Sequence, residues 1–252
     1  MIEAFVTSDI KNGIGTITFF HPQSNSLPGT QLRNLANEIQ KLGNDDNVKV
    51  IILQSQGEKA FCAGASFDEL IAIKDLETGK HFFSGFAAVI NAMRKAPKFI
   101  IARVQGKAVG GGVGIASSAD YCFALNSASC KLSELAVGIG PFVVGPAVER
   151  KIGKAAFCEL TINATQWRTA EWGNQKGLYN QIFESTADMD NAINELATTL
   201  ANSNPQAMAM LKDVMWQGTE NWDTLLLERA GMSGTLVLSD FTINAINTFK
   251  SK

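Results

Sequence analysis

Two loops of small residues, each placed behind an apolar run, limit what this chain can become. Residues 99–104 (FIIARV) lead into Gln105-Gly106-Lys107-Ala108-Val109-Gly110-Gly111-Gly112-Val113-Gly114-Ile115-Ala116. Earlier, the run ending near Gln54 leads into Lys59-Ala60-Phe61-Cys62-Ala63-Gly64-Ala65-Ser66-Phe67-Asp68-Glu69-Leu70. In both, small residues carry a strand into a helix, where the first backbone N–H groups lack partners and a bound oxygen can come close. Taken singly, such a loop is explained by a tight strand-to-helix turn that needs glycine's freedom. Two of them facing each other would offer two N–H groups to one oxygen, an oxyanion hole built without side chains.

The surrounding pattern supports strands and helices in alternation. β-type runs occupy residues 4–7, 14–20 and 48–54. Between the second and third lies a helix opened by Pro28 and Thr30, with Leu32, Leu35, Ile39 and Leu42 at helical spacing. A second helix over 78–95 precedes the run at 99–104, and this order predicts an α/β fold with crossover connections. From about residue 187 the pattern becomes purely helical, over 187–202, 205–217, 221–236 and 239–250, with breaks at Ser203-Asn204-Pro205 and Gly218. Leu225, Leu226, Ala230 and Met232 recur on one face there, as core packing requires. The expected organisation is therefore a body of residues 1–186 and a helical region of 187–252 that could also serve assembly.

Composition mainly excludes. A chain of 252 residues buries roughly 70–75% of its unfolded surface and needs no staples. A formal charge of −2 removes the general attraction to phosphate backbones, so no nucleic-acid partner is expected. Cys62, Cys122, Cys130 and Cys158 form no Cys-x-x-Cys pair and read as buried, reduced thiols. No apolar run approaches the roughly 20 residues of a membrane span. The first residues carry Glu3 and no basic stretch, so the expectation is a cytoplasmic protein. His21, in a turn with Pro22, and His81, on a helix, are assigned to structure, and no metal site is expected. Trp167 and Trp172 read as packing anchors.

Other glycine motifs fail on inspection. Gly106-Lys107 and Gly153-Lys154 are both followed by alanine, which breaks the P-loop pattern. A dinucleotide fingerprint from Gly110 meets Ile115, and one from Gly112 meets Ser117. A nucleophile elbow at Gly64-Ala65-Ser66-Phe67 ends on Asp68 in place of glycine.

What remains resembles the crotonase (enoyl-CoA hydratase/isomerase) superfamily, and the motifs of bacterial methylglutaconyl-CoA hydratases in particular. Asn25-Ser26-Leu27 resembles its Asn-Ala-Leu. Residues 61–70 resemble its first oxyanion segment, and 106–120 its Gly-rich loop, helix and following Asp. Leu132-Ser133-Glu134, with Gly138-Ile139-Gly140-Pro141, resembles its second catalytic segment. The resemblance implies a crotonase-like ββα spiral with a C-terminal helical assembly region, a homotrimer or dimer of trimers, and an acyl-CoA substrate with coenzyme A as part of it and no other cofactor. It implies oxyanion donors at the N–H of Ala65 and Gly111. It also implies a CoA path along Ala63, Ala65, Ser66, Phe67, Asp68, Gly110 and Gly111, with Lys250 resembling a tail lysine that reaches a CoA phosphate.

Glu134 is the candidate acid/base. It sits in an apolar, small-residue stretch where desolvation raises a carboxyl pKa. The sequence departs from the family at Gly114, which stands where the better-known hydratases carry a second Glu, and at Ser66, where Asp is usual. Three readings follow: an enoyl-CoA hydratase, possible on a branched, 3-methylglutaconyl-like substrate; a Δ3,Δ2-enoyl-CoA isomerase using the single Glu134; and an acyl-CoA-binding protein without catalysis.

Overall fold

Asn12 and Gly13 both adopt positive φ, 53° and 79°, the geometry of a two-residue hairpin turn. In the computed structural model, which describes residues 3–250 without the side chains of Phe249 and Lys250, this turn joins β1 (Phe5–Lys11) to β2 (Ile14–Phe20) in antiparallel register. The first strand thus runs to Lys11, past the expected end at residue 7, because the Asn-Gly turn keeps pairing alive to Lys11 and Ile14.

After the short β3 (Ser26–Leu27), helix α1 (Gly29–Asn44) buries Leu32, Leu35, Ile39 and Leu42 as their spacing predicts. Pro28 offers this helix no side-chain cap; the carboxylate of Glu69 accepts from the Gly29 N–H at 2.6 Å. β4 (Val50–Ser55), β5 (Ala60–Cys62), β6 (Gly64–Ala65), α2 (Phe67–Ala72) and α3 (Leu76–Lys95) follow. β7 (Phe99–Val104), β8 (Lys107–Val109), α4 (Gly111–Ser118), β9 (Tyr121–Leu125) and β10 (Ser129–Lys131) complete the central part. A 3-10 turn (Glu134–Val137), α5 (Gly145–Ile162), β11 (Arg168–Thr169), α6 (Ala170–Gln175) and β12 (Gln181–Phe183) lead to the helical end: α7 (Thr186–Ala201), α8 (Pro205–Met215), α9 (Trp222–Leu236) and α10 (Asp240–Lys250). These four lie close to their predicted limits, and Asn204 with Pro205 starts α8 as an N-cap and first helical residue should.

The main sheet has the order β1-β2-β4-β7-β9-β12, parallel apart from the first pair. Both faces of its centre are apolar, as a parallel sheet covered on two sides requires. Ile51 and Leu53 face the principal core, while Val50, Ile52, Ile101 and Phe123 meet Met189, Ile193 and Ala197 of α7. A second sheet, β11-β10-β8-β5, is built from strands of two or three residues, and β3 pairs with β6. Asn25, at φ 57°, ties these parts together: its amide donates to the carbonyls of Gln56 and Ala60 at 2.9 and 2.8 Å.

α8 docks by a buried ion pair. Lys212 Nζ donates to Asp120 Oδ2 and to the Lys98 carbonyl, both at 2.8 Å, and Trp216 Nε1 donates to Asp120 Oδ1 at 2.9 Å. α9 packs along α3, where Gly79 and Gly234 bring the two backbones together. Among the described residues no helix is long and apolar enough to cross a membrane.

Candidate functional site

The second sheet and the small-residue loops that leave it wall an apolar cavity of about 420 Å³. Both loops take part. Ser66 N donates to Leu27 O at 3.3 Å, so strand alternation turns the neighbouring Ala65 N–H away from β3, and Ala65 lines the cavity. Gly111 is the first residue of α4, where an N–H has no intrahelical acceptor. The loops touch at Gly64 (φ 88°): a Cβ there would stand 2.8 Å from Val109 O and 3.4 Å from Gly111 N. Any side chain would wedge them apart.

Glu134 opens the 3-10 turn, which Gly138 ends in the left-handed conformation while Ile139 N donates to Glu134 O at 2.9 Å. The residue as a whole is half-buried, but Oε2 is cut off from solvent and has no hydrogen-bond partner among the described residues. Desolvation pushes its pKa up to about 7. Its carboxylate leans on the Gly-rich loop, because a Cβ at Gly110 (φ 53°) would lie 3.0 Å from Oε1.

Of the residues expected here, Ala63, Ala65, Phe67, Gly110, Gly111 and Glu134 line the cavity together. Ser66 and Asp68 are not in its lining. Ser66 is buried as the N-cap of α2, its hydroxyl accepting from Glu69 N at 3.5 Å, and Asp68 accepts from Gln23 Nε2 at 2.8 Å. The Lys250 side chain lies outside the described residues.

Gly114 faces Val144. A Cβ at position 114 would come within 2.5 Å of Val144 Cγ1, so an apolar side chain already takes the room a second carboxylate would need. Ser133, Thr165 and Ser233 add hydroxyl-bearing residues to a mostly apolar wall, and Phe83 and Phe86 of α3 close it.

Trp167 and Lys131 also line the cavity, though neither was expected in the site. Trp167, expected to be a packing anchor, is 38% exposed and forms part of the cavity wall. Lys131 lies beside it, with Nζ 4.5 Å from the indole centroid. Strand alternation carried a signal for Lys131, since its neighbours Cys130 and Leu132 are fully buried and the residue between them must face the other way. Trp167 is placed by a contact 36 residues distant, which no local pattern encodes.

The thiols are mostly as expected. Cys62, Cys122 and Cys130 are buried, and burial pushes each pKa up to about 12, which keeps Cys62 inert beside the site. Cys158 departs from the expectation: it lies exposed on α5. His21 keeps a structural place, its Nδ1 accepting from Gln23 N at 3.3 Å, and burial lowers its pKa.

A cavity walled by two N–H-bearing loops and one desolvated carboxylate can be set against known proteins. The family model for enoyl-CoA hydratase/isomerase matches residues 9–233. The chain belongs to this family. Methylglutaconyl-CoA hydratase of Rattus norvegicus mitochondria is 31% identical to this member, over 90% of this chain and 73% of the relative. The short-chain-enoyl-CoA hydratase of Clostridium acetobutylicum is 27% identical over 95% and 92%. Among solved structures, an enoyl-CoA hydratase from Bacillus halodurans superposes with a TM-score of 0.89 at 20% identity, covering 96% of this chain and 99% of that one. The fold is that of the crotonase superfamily, with C-terminal helices.

Proposed function

We propose that this family member hydrates an enoyl-CoA thioester, with Glu134 as its single acid/base and the N–H groups of Ala65 and Gly111 holding the thioester oxygen. One observation carries the reading: a carboxylate oxygen without a partner, cut off from solvent, shares an apolar cavity with both loops. A pKa near 7 lets that group take and return a proton at neutral pH.

The step balances with one carboxylate. Water gives a proton to Glu134 as its oxygen bonds to C3, and the electrons of the double bond pass through C2 to the thioester oxygen. The two N–H groups stabilise that charge, each worth about 3–4 kcal/mol in a preorganised site. Glu134 then returns the proton to C2. Ser133, next to Glu134, and Thr165 supply hydroxyls from which a water can hang. CoA enters as part of the substrate, along Ala63 and the 66–68 turn; proton transfers of this kind call on no other cofactor. Residues 187–252 form the assembly region of a homotrimer or dimer of trimers.

Val144 against Gly114 favours a second reading, isomerisation, in which Glu134 carries a proton between C2 and C4 without any water. Incubating the purified protein with crotonyl-CoA and, separately, 3-hexenoyl-CoA separates the two. Hydration bleaches the conjugated-thioester absorbance of the first; isomerisation raises it with the second. Turnover of neither, with CoA thioesters still bound, would leave a binding protein.

A further inference from the structure

The cavity has a cationic end that the proton chemistry does not use. Lys131 closes β10, directly across from Val109 of β8, and its ammonium lies 4.5 Å from the centre of the Trp167 ring. Lys107, on the same face of β8, brings a second ammonium to 5.2 Å from the same ring. No acidic group among the described residues pairs with either lysine. Burial and the neighbouring Lys107 both lower the Lys131 pKa, the signature of a cation held short of counter-charge. An indole face attracts such groups but does not neutralise them.

Sheet order says what part of a substrate would meet this end. In the order β11-β10-β8-β5, the proposed CoA path follows the β5 edge, and the Gly111 donor leaves from β8. Lys131 ends β10, and Trp167 leads into β11. A thioester pinned at Ala65 and Gly111, with its CoA over residues 63–68, therefore sends its acyl chain across the sheet toward Lys131 and Trp167.

We infer that Lys131, framed by Trp167 and seconded by Lys107, selects acyl-CoA thioesters whose short acyl chain ends in a carboxylate. This rests on the thioester orientation proposed above but not on which reaction follows. An ammonium–carboxylate contact at a partly buried site is a charge-assisted hydrogen bond, and it would relieve the repulsion between the two lysines. The rest of the wall is mostly apolar apart from Glu134, and would still accept an uncharged chain, with no gain from the lysine.

Calorimetric binding of unreactive thioesters tests this without turnover, so a failed assignment of the reaction leaves the test standing. The probes are glutaryl-CoA, hexanoyl-CoA and free CoA, with the wild type, Lys131→Met and Lys131→Arg. The expected result is that Lys131→Met weakens glutaryl-CoA by about tenfold or more, changes hexanoyl-CoA and CoA by less than about twofold, and that Lys131→Arg restores most of the loss. Equal weakening of all three ligands would mean that Lys131 meets a CoA phosphate and would overturn the inference. So would unchanged glutaryl-CoA affinity in Lys131→Met, or a wild type that fails to bind glutaryl-CoA at all.

Discussion

Asp120 and Glu134 are both carboxylates withdrawn from water, and the molecule treats them in opposite ways. Asp120 accepts from Lys212 Nζ, Trp216 Nε1 and the Ile100 N–H at 2.8–2.9 Å, so each oxygen is satisfied. Glu134 Oε2 has no partner among the described residues, and its walls are apolar. A buried carboxylate with a cation and two further donors is a fastener; here it clamps α8 to the start of β9. One helped only by its own backbone N–H, with an oxygen left unpartnered, has a destabilised charged form and holds its proton near neutrality. The contrast separates the structural acid from the proposed reactive one more sharply than burial alone.

Substitutions can break that contrast from either side. The largest effect is expected for Glu134→Gln, which should lower turnover of crotonyl-CoA by about 10³-fold or more in a steady-state assay while the protein stays folded. Lys212→Met takes the ammonium away from buried Asp120 and leaves Trp216 and Ile100 to donate to it, and denaturant unfolding should show a loss of about 3 kcal/mol or more, with kcat within about threefold of wild type. Stability should move the other way at Glu134. Its pKa is raised from 4.5 to about 7, so the native state binds the proton more tightly than the unfolded chain does. The destabilisation is absent below pH 4.5, accrues as pH rises toward 7, and is complete above that. Glu134→Gln should therefore gain up to about 3 kcal/mol over wild type at pH 8 and almost nothing at pH 4. The smallest effect belongs to Gly114→Ala, whose Cβ presses on Val144 and should cost about 1–3 kcal/mol; adding Val144→Ala should recover part of it.

Periodicity made most of the long elements legible. The apolar spacing of α1 and the Ser-Asn-Pro break before α8 predict their limits closely, because amphipathic faces and caps are local signals. The second sheet was not legible, since strands of two or three residues carry no period. In the site, the two glycine loops stood out by composition and Glu134 by the family resemblance of its segment, and all three line the cavity. Ser66 is different: with Glu69 three residues on, it has the pattern of a helix cap, and it is buried as one. What fills the room beside Gly114, and the place of Trp167 in the cavity wall, depended on contacts across 30 and 36 residues. Such packing is decided by the assembled fold.

The central claim is that Glu134 alone moves the proton at C2. Wash-in of deuterium at C2 of butyryl-CoA in D2O, followed by proton NMR, tests it whether the protein hydrates or isomerises. Exchange should rise with pH, level off above about 7 as the carboxylate forms, and fall by about 10³-fold or more in Glu134→Gln. Exchange at the wild-type rate in that variant would contradict the account.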